Sequence, residues 1–240
     1  MNYTMKEYLK QIPDNIKRIK LDIGLSYNAP HSQDWLEHDS DNELFVFGFE
    51  PNPECVEIIK KGNIQKRHPS HGKSIEDVYL QNNFCLIPVA LGNVSEVTYM
   101  DFYQMSNDCG TSSLNKPNDQ SLGPIKTVSK VPVYSLKDFF DLFDWNRFAY
   151  IEYIKIDAQG SDLEILHSAG NYLKERVVYI TAEPESKQYS NVSHNTMENM
   201  RDYLESQGFQ YIRHPNTLDP TFLNTKYTHL KDDIYIRQYG

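Results

Sequence analysis

Three acidic residues end three largely apolar segments that lie far apart in the sequence. Asp22 follows RIKL, Glu50 follows VFGF and Asp157 follows YIKI. Carboxylates are rarely buried without partners, so each acid is either a local cap of a loop or helix or a ligand contact. The carboxyl ends of parallel strands open onto one crevice, so the regular placement of the three predicts that they face one nucleoside.

The residue types around these acids fit that ligand. Glu50 suits a carboxylate that accepts two hydrogen bonds from a ribose diol. Gly24, two residues after Asp22, allows a tight turn at which a ligand approaches the backbone. The pattern therefore predicts a nucleoside site at the end of a sheet.

The elements that position these residues alternate between apolar runs and amphipathic stretches. Strands are predicted at 18–23, 44–50, 84–91, 153–157, 177–183, 209–213 and 233–237, and helices at 54–61, 134–143, 161–169 and 196–207. Ser135 and Asp138 predict a capping box at the start of the second of these helices. Pro88 predicts an irregularity in the third strand. Segments 97–103 and 126–133 are expected to pair as two antiparallel strands outside the main sheet, with a long polar loop between them. The alternation indicates an α/β fold with one mostly parallel, seven-stranded sheet and helices on both faces.

Composition limits the classes of protein and partner. The 240 residues suit a single domain with a short helical lead-in at 1–17. A net charge of −9 argues against nucleic acid as a partner. No signal-peptide pattern and no run long enough for a membrane span are present, and the three cysteines have no zinc spacing. A cytoplasmic location is therefore expected.

Seven segments resemble the FkbM-type methyltransferases, a branch of the Rossmann-like class I enzymes that use S-adenosylmethionine. They are LDIG (21–24), FGFEPNPE (47–54), PVALGN (88–93), CGTSSL (109–114), VPVYSLKDF (131–139), IKIDAQGSDLEIL (154–166) and ITAEPE (180–185). The resemblance runs from about Ile19 to Ile236, and its most specific part is ID-x-[E/Q]-G-x-[D/E]. It implies a class I methyltransferase fold, S-adenosylmethionine as methyl donor and S-adenosylhomocysteine as product.

The resemblance also implies a set of cofactor-binding residues. It places Asp22 at the methionine end of the cofactor, Glu50 at the ribose and Asp157 near the sulfonium. The full set is Asp22, Gly24, Leu25, Ser26, Glu50, Pro51, Asn52, Ala90, Leu91, Ser112, Ser113 and Asp157. Pro51 and Asn52 shape the adenine side, Ala90 and Leu91 lie against the adenine, and the paired serines close over the site.

Two positions depart from the family pattern. Asn28 or Ala29 stands where a second glycine of the first loop is common, which leaves Ser26, Asn28 and Ser32 as candidate partners of the methionine carboxylate. Gln159 stands where many relatives have Glu, which weakens any divalent-metal site beside it. No metal-ligating residue is predicted, and a requirement for Mg²⁺ is left open.

Methyl transfer to a hydroxyl needs a group that accepts the proton. Asp157 is the first candidate for this base, with a cap of the loop at Gly160 as its structural alternative. Glu183 and His31 are the second candidates.

The resulting prediction is an S-adenosylmethionine-dependent O-methyltransferase. The acceptor is predicted to be a hydroxyl of a sugar or glycan, with a deoxysugar as one candidate, because the family acts on sugars, glycolipids and polyketide-like products. A polyketide-like or lipid hydroxyl and a non-catalytic nucleoside-binding domain are the alternatives. A nicotinamide-dependent enzyme is disfavoured because G-x-G-x-x-G is missing after the first strand. The sequence leaves the oligomeric state open.

Overall fold

Seven strands of mostly buried residues form the central sheet. The computed structural model describes residues 4–61, 75–118, 122–212 and 219–231. The strands are β1 (Arg18–Ile23), β2 (Leu44–Phe49), β3 (Phe84–Ile87), β7 (Ile151–Ile156), β8 (Val177–Ala182), β9 (Phe209–Ile212) and β10 (Thr221–Asn224). Their order is β3-β2-β1-β7-β8-β10-β9. The predicted mostly parallel, seven-stranded sheet is confirmed, with β10 antiparallel to both of its neighbours.

Helices cover both faces of this sheet. They are α1 (Met5–Leu9), α2 (Pro30–Glu37), α3 (Pro53–Lys60), α4 (Asp77–Asn82), α5 (Leu136–Leu142), α6 (Asp162–Ser168), α7 (Tyr172–Arg176) and α8 (Met197–Ser206). Side chains of α1, α5, α6 and α8 join one apolar core, and those of α2 and α3 join a second. The predicted capping box at the start of α5 is present, with Ser135 and Asp138 bonded to each other's backbone amides.

A second, smaller sheet holds β4 (Ala90–Leu91), β5 (Thr98–Met105) and β6 (Ile125–Tyr134), in the order β4-β6-β5. The predicted irregularity at Pro88 is confirmed, because the chain leaves the main sheet there and continues as β4. The predicted antiparallel pairing is confirmed as β5 with β6. Between these strands, Cys109–Thr111 forms a 3₁₀ turn.

The last strand differs from the sequence prediction. The predicted strand at 233–237 lies outside the described residues, and β10 provides the seventh strand of the sheet. The sequence analysis assigned no strand to Thr221–Asn224, because two of the four residues are polar. Both are buried and hydrogen-bonded, Thr221 to Thr181 and Asn224 to main-chain carbonyls. A 3₁₀ helix follows at Thr225–Leu230. In the described ranges, no helix is long and apolar enough to cross a bilayer.

Candidate active site

A cavity of about 280 Å³ opens at the carboxyl ends of β1, β2 and β7. Of the residues predicted to bind the cofactor or to act as the base, its wall contains Asp22, Gly24, Leu25, Ser26, Asn28, His31, Glu50, Pro51, Ala90, Leu91, Ser112 and Asp157. The three strand-end acids therefore share one cavity, as the sequence predicted, while their roles are still predictions. Small-molecule sites usually occupy this position in open α/β sheets.

Three predicted residues stand behind the wall of the cavity. Asn52 donates from Nδ2 to Oγ of the lining residue Ser112, at 3.4 Å, and its Oδ1 caps the start of α3. Ser113 donates to the main-chain oxygen of Gln159 at 2.8 Å. Glu183 accepts from the Gln159 amide at 3.2 Å. Each of the three thus supports a residue that lines the cavity.

Glu50 is held by two backbone amides. Its Oε2 accepts from the Ser26 amide and its Oε1 from the Asn52 amide, both at 2.7 Å. Burial raises the pKa of Glu50 to about 7, although these two hydrogen bonds act in the opposite direction. A carboxylate offers about four acceptor positions, so the two oxygens retain capacity for a diol.

Asp22 carries an acceptor atom without a protein partner. Its Oδ2 accepts from the amide of Ser32 at 3.1 Å and from the Ser32 hydroxyl at 2.6 Å. Its Oδ1 is buried and has no hydrogen-bond partner among the described residues. Ser32, a predicted partner of the methionine carboxylate, instead orients Asp22. A buried unpaired acceptor beside a cavity fits a ligand that brings a donor.

Gly24 is required by the close approach of two loops. Its φ is +82°, and a Cβ atom there would lie 1.8 Å from the carbonyl oxygen of Asp157. The Asp157 amide donates to the Ile23 carbonyl at 2.9 Å, which ties the same two loops together. The sequence predicted a glycine for the approach of a ligand, whereas the structure shows that it admits the neighbouring loop.

Three residues other than glycine adopt a positive φ at this edge of the sheet. They are Ser26 at 55°, Ala29 at 41° and Gln159 at 50°. Ala29 is the N-cap of α2. Residues in this region of φ and ψ cluster at functional sites, where the surrounding structure holds the strained backbone in place.

Lys155 joins the acids from the middle of β7. Its Nζ donates to Asp157 Oδ2 at 2.9 Å, and the side chain is buried. Burial alone would lower the pKa of Lys155, but the carboxylates of Asp157 and Asp22 raise it above its ordinary value. Burial would likewise raise the pKa of Asp157, but Lys155 holds it below its ordinary value. The two therefore form a charged pair.

The carboxyl groups of Asp157 and Glu183 both accept from the Gln159 amide, at 2.6 and 3.2 Å, and so lie beside each other. Two carboxyl groups so placed hold a proton between them, because two adjacent carboxylates repel. Burial and then the charge of Asp157 raise the pKa of Glu183 to about 8. Since Lys155 keeps Asp157 ionised, the proton of the pair resides on Glu183.

His31 lines the cavity at the first turn of α2. Desolvation beside the cavity, followed by the charge of Lys155, lowers the pKa of His31, although the residue is exposed at the surface. The ring is therefore neutral near pH 7.

The turn after β5 covers one side of the cavity. Ser112 Oγ accepts from the Met105 amide at 3.0 Å, and Tyr189 donates from its hydroxyl to the Thr111 carbonyl at 2.7 Å. Apolar residues line this side, namely Val89, Ala90, Leu91, Phe102 and Leu114. The arrangement suits a flat apolar ring such as adenine.

The sequence analysis assigned no role to several residues of the site. Lys155 carried a usable signal, since a lysine inside an apolar buried strand requires an anionic partner. Tyr189 carried none, because nothing in its local sequence shows that its hydroxyl reaches the Gln159 side chain, at 2.9 Å. Within the described ranges, no group of three or more His, Cys, Asp or Glu side chains is placed to hold a metal ion.

The comparison with family models matches residues 25–211 to the methyltransferase FkbM domain. The chain belongs to the FkbM methyltransferase family. The match covers most of the chain and includes the loops after β2, β5 and β7 that line the cavity. The comparison with curated proteins gave no match. The family identifies the chain as a methyltransferase.

Proposed function

We propose that this FkbM methyltransferase uses S-adenosylmethionine to methylate a hydroxyl oxygen, and that the acceptor is a sugar or glycan. The observation that carries the proposal is the single cavity in which Asp22, Glu50 and Asp157 converge. Membership of a methyltransferase family supports the choice of methyl donor. The carboxyl pair beside the cavity supports an acceptor that loses a proton.

The residues present fit this cofactor. Glu50 would hold the ribose hydroxyls with its remaining acceptor capacity. The free Oδ1 of Asp22 matches the α-ammonium group of the methionine end. Ala90 and Leu91 would contact the adenine.

When bound, the cofactor supplies a methyl group on an electrophilic sulfonium. The protein must then align the acceptor oxygen, exclude water and take up the hydroxyl proton. Of the three predicted bases, Asp157 is occupied by Lys155 and by the Gln159 amide, at 2.6 Å, and its low pKa makes it a weak base. Glu183 has the higher pKa and is partly exposed next to the cavity-lining Gln159, so we assign it the role of proton acceptor, in its ionised form, for an acceptor that binds at the rim of the cavity. His31 is assigned to the wall of the acceptor site.

The cofactor assignment predicts a loss of affinity when Glu50 is changed. Glu50→Gln keeps the shape of the side chain but removes its charge and half of its acceptor capacity, so the Kd for S-adenosylhomocysteine should rise about tenfold or more. Isothermal titration calorimetry measures this. Glutamine is preferred to alanine, because its oxygen can still accept from one of the two amides, Ser26 or Asn52, that the carboxylate anchors, whereas alanine loses both.

The matched control is Glu54→Gln on the exposed side of α3, where the carboxylate pairs with Lys126. It should bind S-adenosylhomocysteine as the wild type does. Equal affinity in the Glu50→Gln protein would remove Glu50 from the cofactor site.

The acceptor class is tested by release of S-adenosylhomocysteine across a panel of acceptors. The panel contains glycosides and deoxysugar glycosides, a hydroxylated polyketide-like compound and a hydroxylated lipid, each with and without EDTA. The proposal expects turnover with a glycoside. Turnover only with the polyketide or lipid would overturn the sugar assignment, and cofactor binding without turnover on any arm would favour a binding domain.

A further inference from the structure

Gln159 connects three segments of the site through its polar atoms. Its main-chain oxygen accepts from Ser113 at 2.8 Å, and its Oε1 lies 2.9 Å from the Tyr189 hydroxyl. Its Nε2 donates to Asp157 Oδ1 at 2.6 Å and to Glu183 Oε2 at 3.2 Å. These contacts fix the orientation of the amide and hold the residue at its positive φ.

The amide group is matched to the two carboxyls that it faces. A primary amide has two N–H donors, so it can bind both carboxyl groups without adding charge. A glutamate at this position would present a third carboxyl to the same pair. The identity of residue 159 therefore decides how many protons and charges this corner of the cavity holds.

We propose that Gln159 is a positioning residue that joins the carboxyl groups of Asp157 and Glu183 into one proton-holding pair and aims Glu183 at the acceptor hydroxyl. The inference rests on the proposed function. It deepens that function by giving the neutral amide of Gln159 a role in holding the two carboxyl groups together. Lys155 balances the charge of Asp157 and donates to its Oδ2. The Gln159 amide donates to the other carboxylate oxygen, Oδ1.

The groups that face Glu183 come from several elements. Asp157 lies after β7, Asp162 at the start of α6 and Asp219 before β10, and all three act to keep a proton on Glu183. Tyr189 faces it from the loop after β8. In this acidic surrounding the two N–H groups of the amide hold the carboxyls together without adding charge.

Gln159→Glu is the decisive variant. The third carboxyl should lower kcat about 100-fold and move the acid limb of the kcat–pH profile upward by about one unit. The Kd for S-adenosylhomocysteine should stay within about threefold of the wild-type value. Gln159→Met, which removes both donors without adding charge, should also lower kcat and serves if the Glu variant fails to fold.

The matched control is Gln104→Glu, the same change at a buried glutamine of β5 whose amide contacts Ser129. It should leave kcat and the pH profile unchanged. An unchanged kcat and pH limb in Gln159→Glu, or a loss confined to cofactor affinity, would overturn the positioning role.

A measurement that does not require turnover distinguishes a failure of this inference from a failure of the proposed function. Carbon-13 NMR of the side-chain carboxyls in the cofactor-free protein, with the Glu183 signal assigned from Glu183→Gln, follows the titration of Glu183. Its midpoint should lie above that of an ordinary Glu and shift in Gln159→Glu. An ordinary midpoint, insensitive to residue 159, refutes the inference, whereas failure of every acceptor in the release assay refutes only the proposed function.

Discussion

Individual residues around the cavity differ in how closely their backbone conformation matches their side chain. Gly24 has both a positive φ and a backbone oxygen where a Cβ would lie. Ala29 adopts a left-handed conformation while carrying a Cβ. For a residue other than glycine this conformation costs roughly 1–2 kcal/mol. The first loop therefore has one glycine that the fold requires and one alanine that it tolerates.

This difference predicts opposite outcomes for two single changes. Gly24→Ala should destabilise the protein by about 3 kcal/mol, because the Asp157 carbonyl cannot move without displacing the loop after β7. Ala29→Gly should change the stability by less than about 1 kcal/mol, since relief of the left-handed strain offsets lost apolar burial and greater backbone entropy of unfolding. Urea denaturation followed by circular dichroism measures both. A Gly24→Ala protein as stable as Ala29→Gly would contradict the loop contact.

At the scale of single residues, the sequence predicted the positions of the three acids better than the contacts of the residues that orient the site's carboxyl groups. Asp22, Glu50 and Asp157 follow apolar strands, and that position is visible in the sequence. The contacts of Gln159 with Glu183, and of Tyr189 with Gln159, join residues that lie 24 and 30 positions apart. Such contacts depend on how loops fold over the sheet, and no local pattern encodes them.

Among the elements, β10 is stabilised by polar contacts as well as by apolar ones. Asn224 is buried, and its Nδ2 lies 3.4 Å from the Leu173 carbonyl, 3.0 Å from that of Lys174 and 2.8 Å from that of Val177. These carbonyls belong to the end of α7 and the start of β8, where helical hydrogen bonds run out. One side chain thus caps a helix and fixes the strand that completes the sheet.

Asn224→Ala should therefore destabilise the protein by about 2–3 kcal/mol, because it removes the side-chain donor shared by the carbonyls of Lys174 and Val177. The midpoint of urea unfolding measures this change. Asn146→Ala, at an exposed position after α5, is the matched control and should stay within about 0.5 kcal/mol of wild type. An Asn224→Ala protein as stable as this control would show that the carbonyls find other donors.

Elements with strong periodicity were predictable, and β10 was not. Buried apolar runs identified β1, β2, β7 and β8, and the capping box located α5. Pro88 marked the point at which the chain leaves the main sheet. Thr221–Asn224 alternates too little over four residues to stand out from a loop, and its polar residues are satisfied only by partners distant in sequence.

For the whole molecule, buried acids of raised pKa set the dependence of stability on pH. Burial is the first cause that raises the pKa of Glu50 and Asp162 to about 7 and that of Glu183 to about 8. Between the ordinary pKa of a carboxyl and these values, the folded protein binds more protons than the unfolded chain does. Stability therefore falls as pH rises through this window. The lowered pKa of His31 has the opposite sign and acts below about pH 6.5.

The cofactor-free protein should be less stable at pH 8.5 than at pH 6, by on the order of 2–4 kcal/mol. Urea unfolding at the two values measures the difference. Asp162→Asn should reduce it, because the amide cannot titrate while its oxygen can still accept from the amide of Glu183. A stability that rises over this range, or one that Asp162→Asn leaves equally dependent on pH, would contradict the assignment.

The strand order affects how the protein can fold while it is synthesised on the ribosome. In the described sheet β9 touches only β10, and β10 follows β9 in the chain while lying between it and β8. A nascent chain that has exposed β9 must therefore leave it undocked until residue 224 has also emerged. Until then the outer edge of β8 stays open, and chaperones have a defined interval in which to bind it.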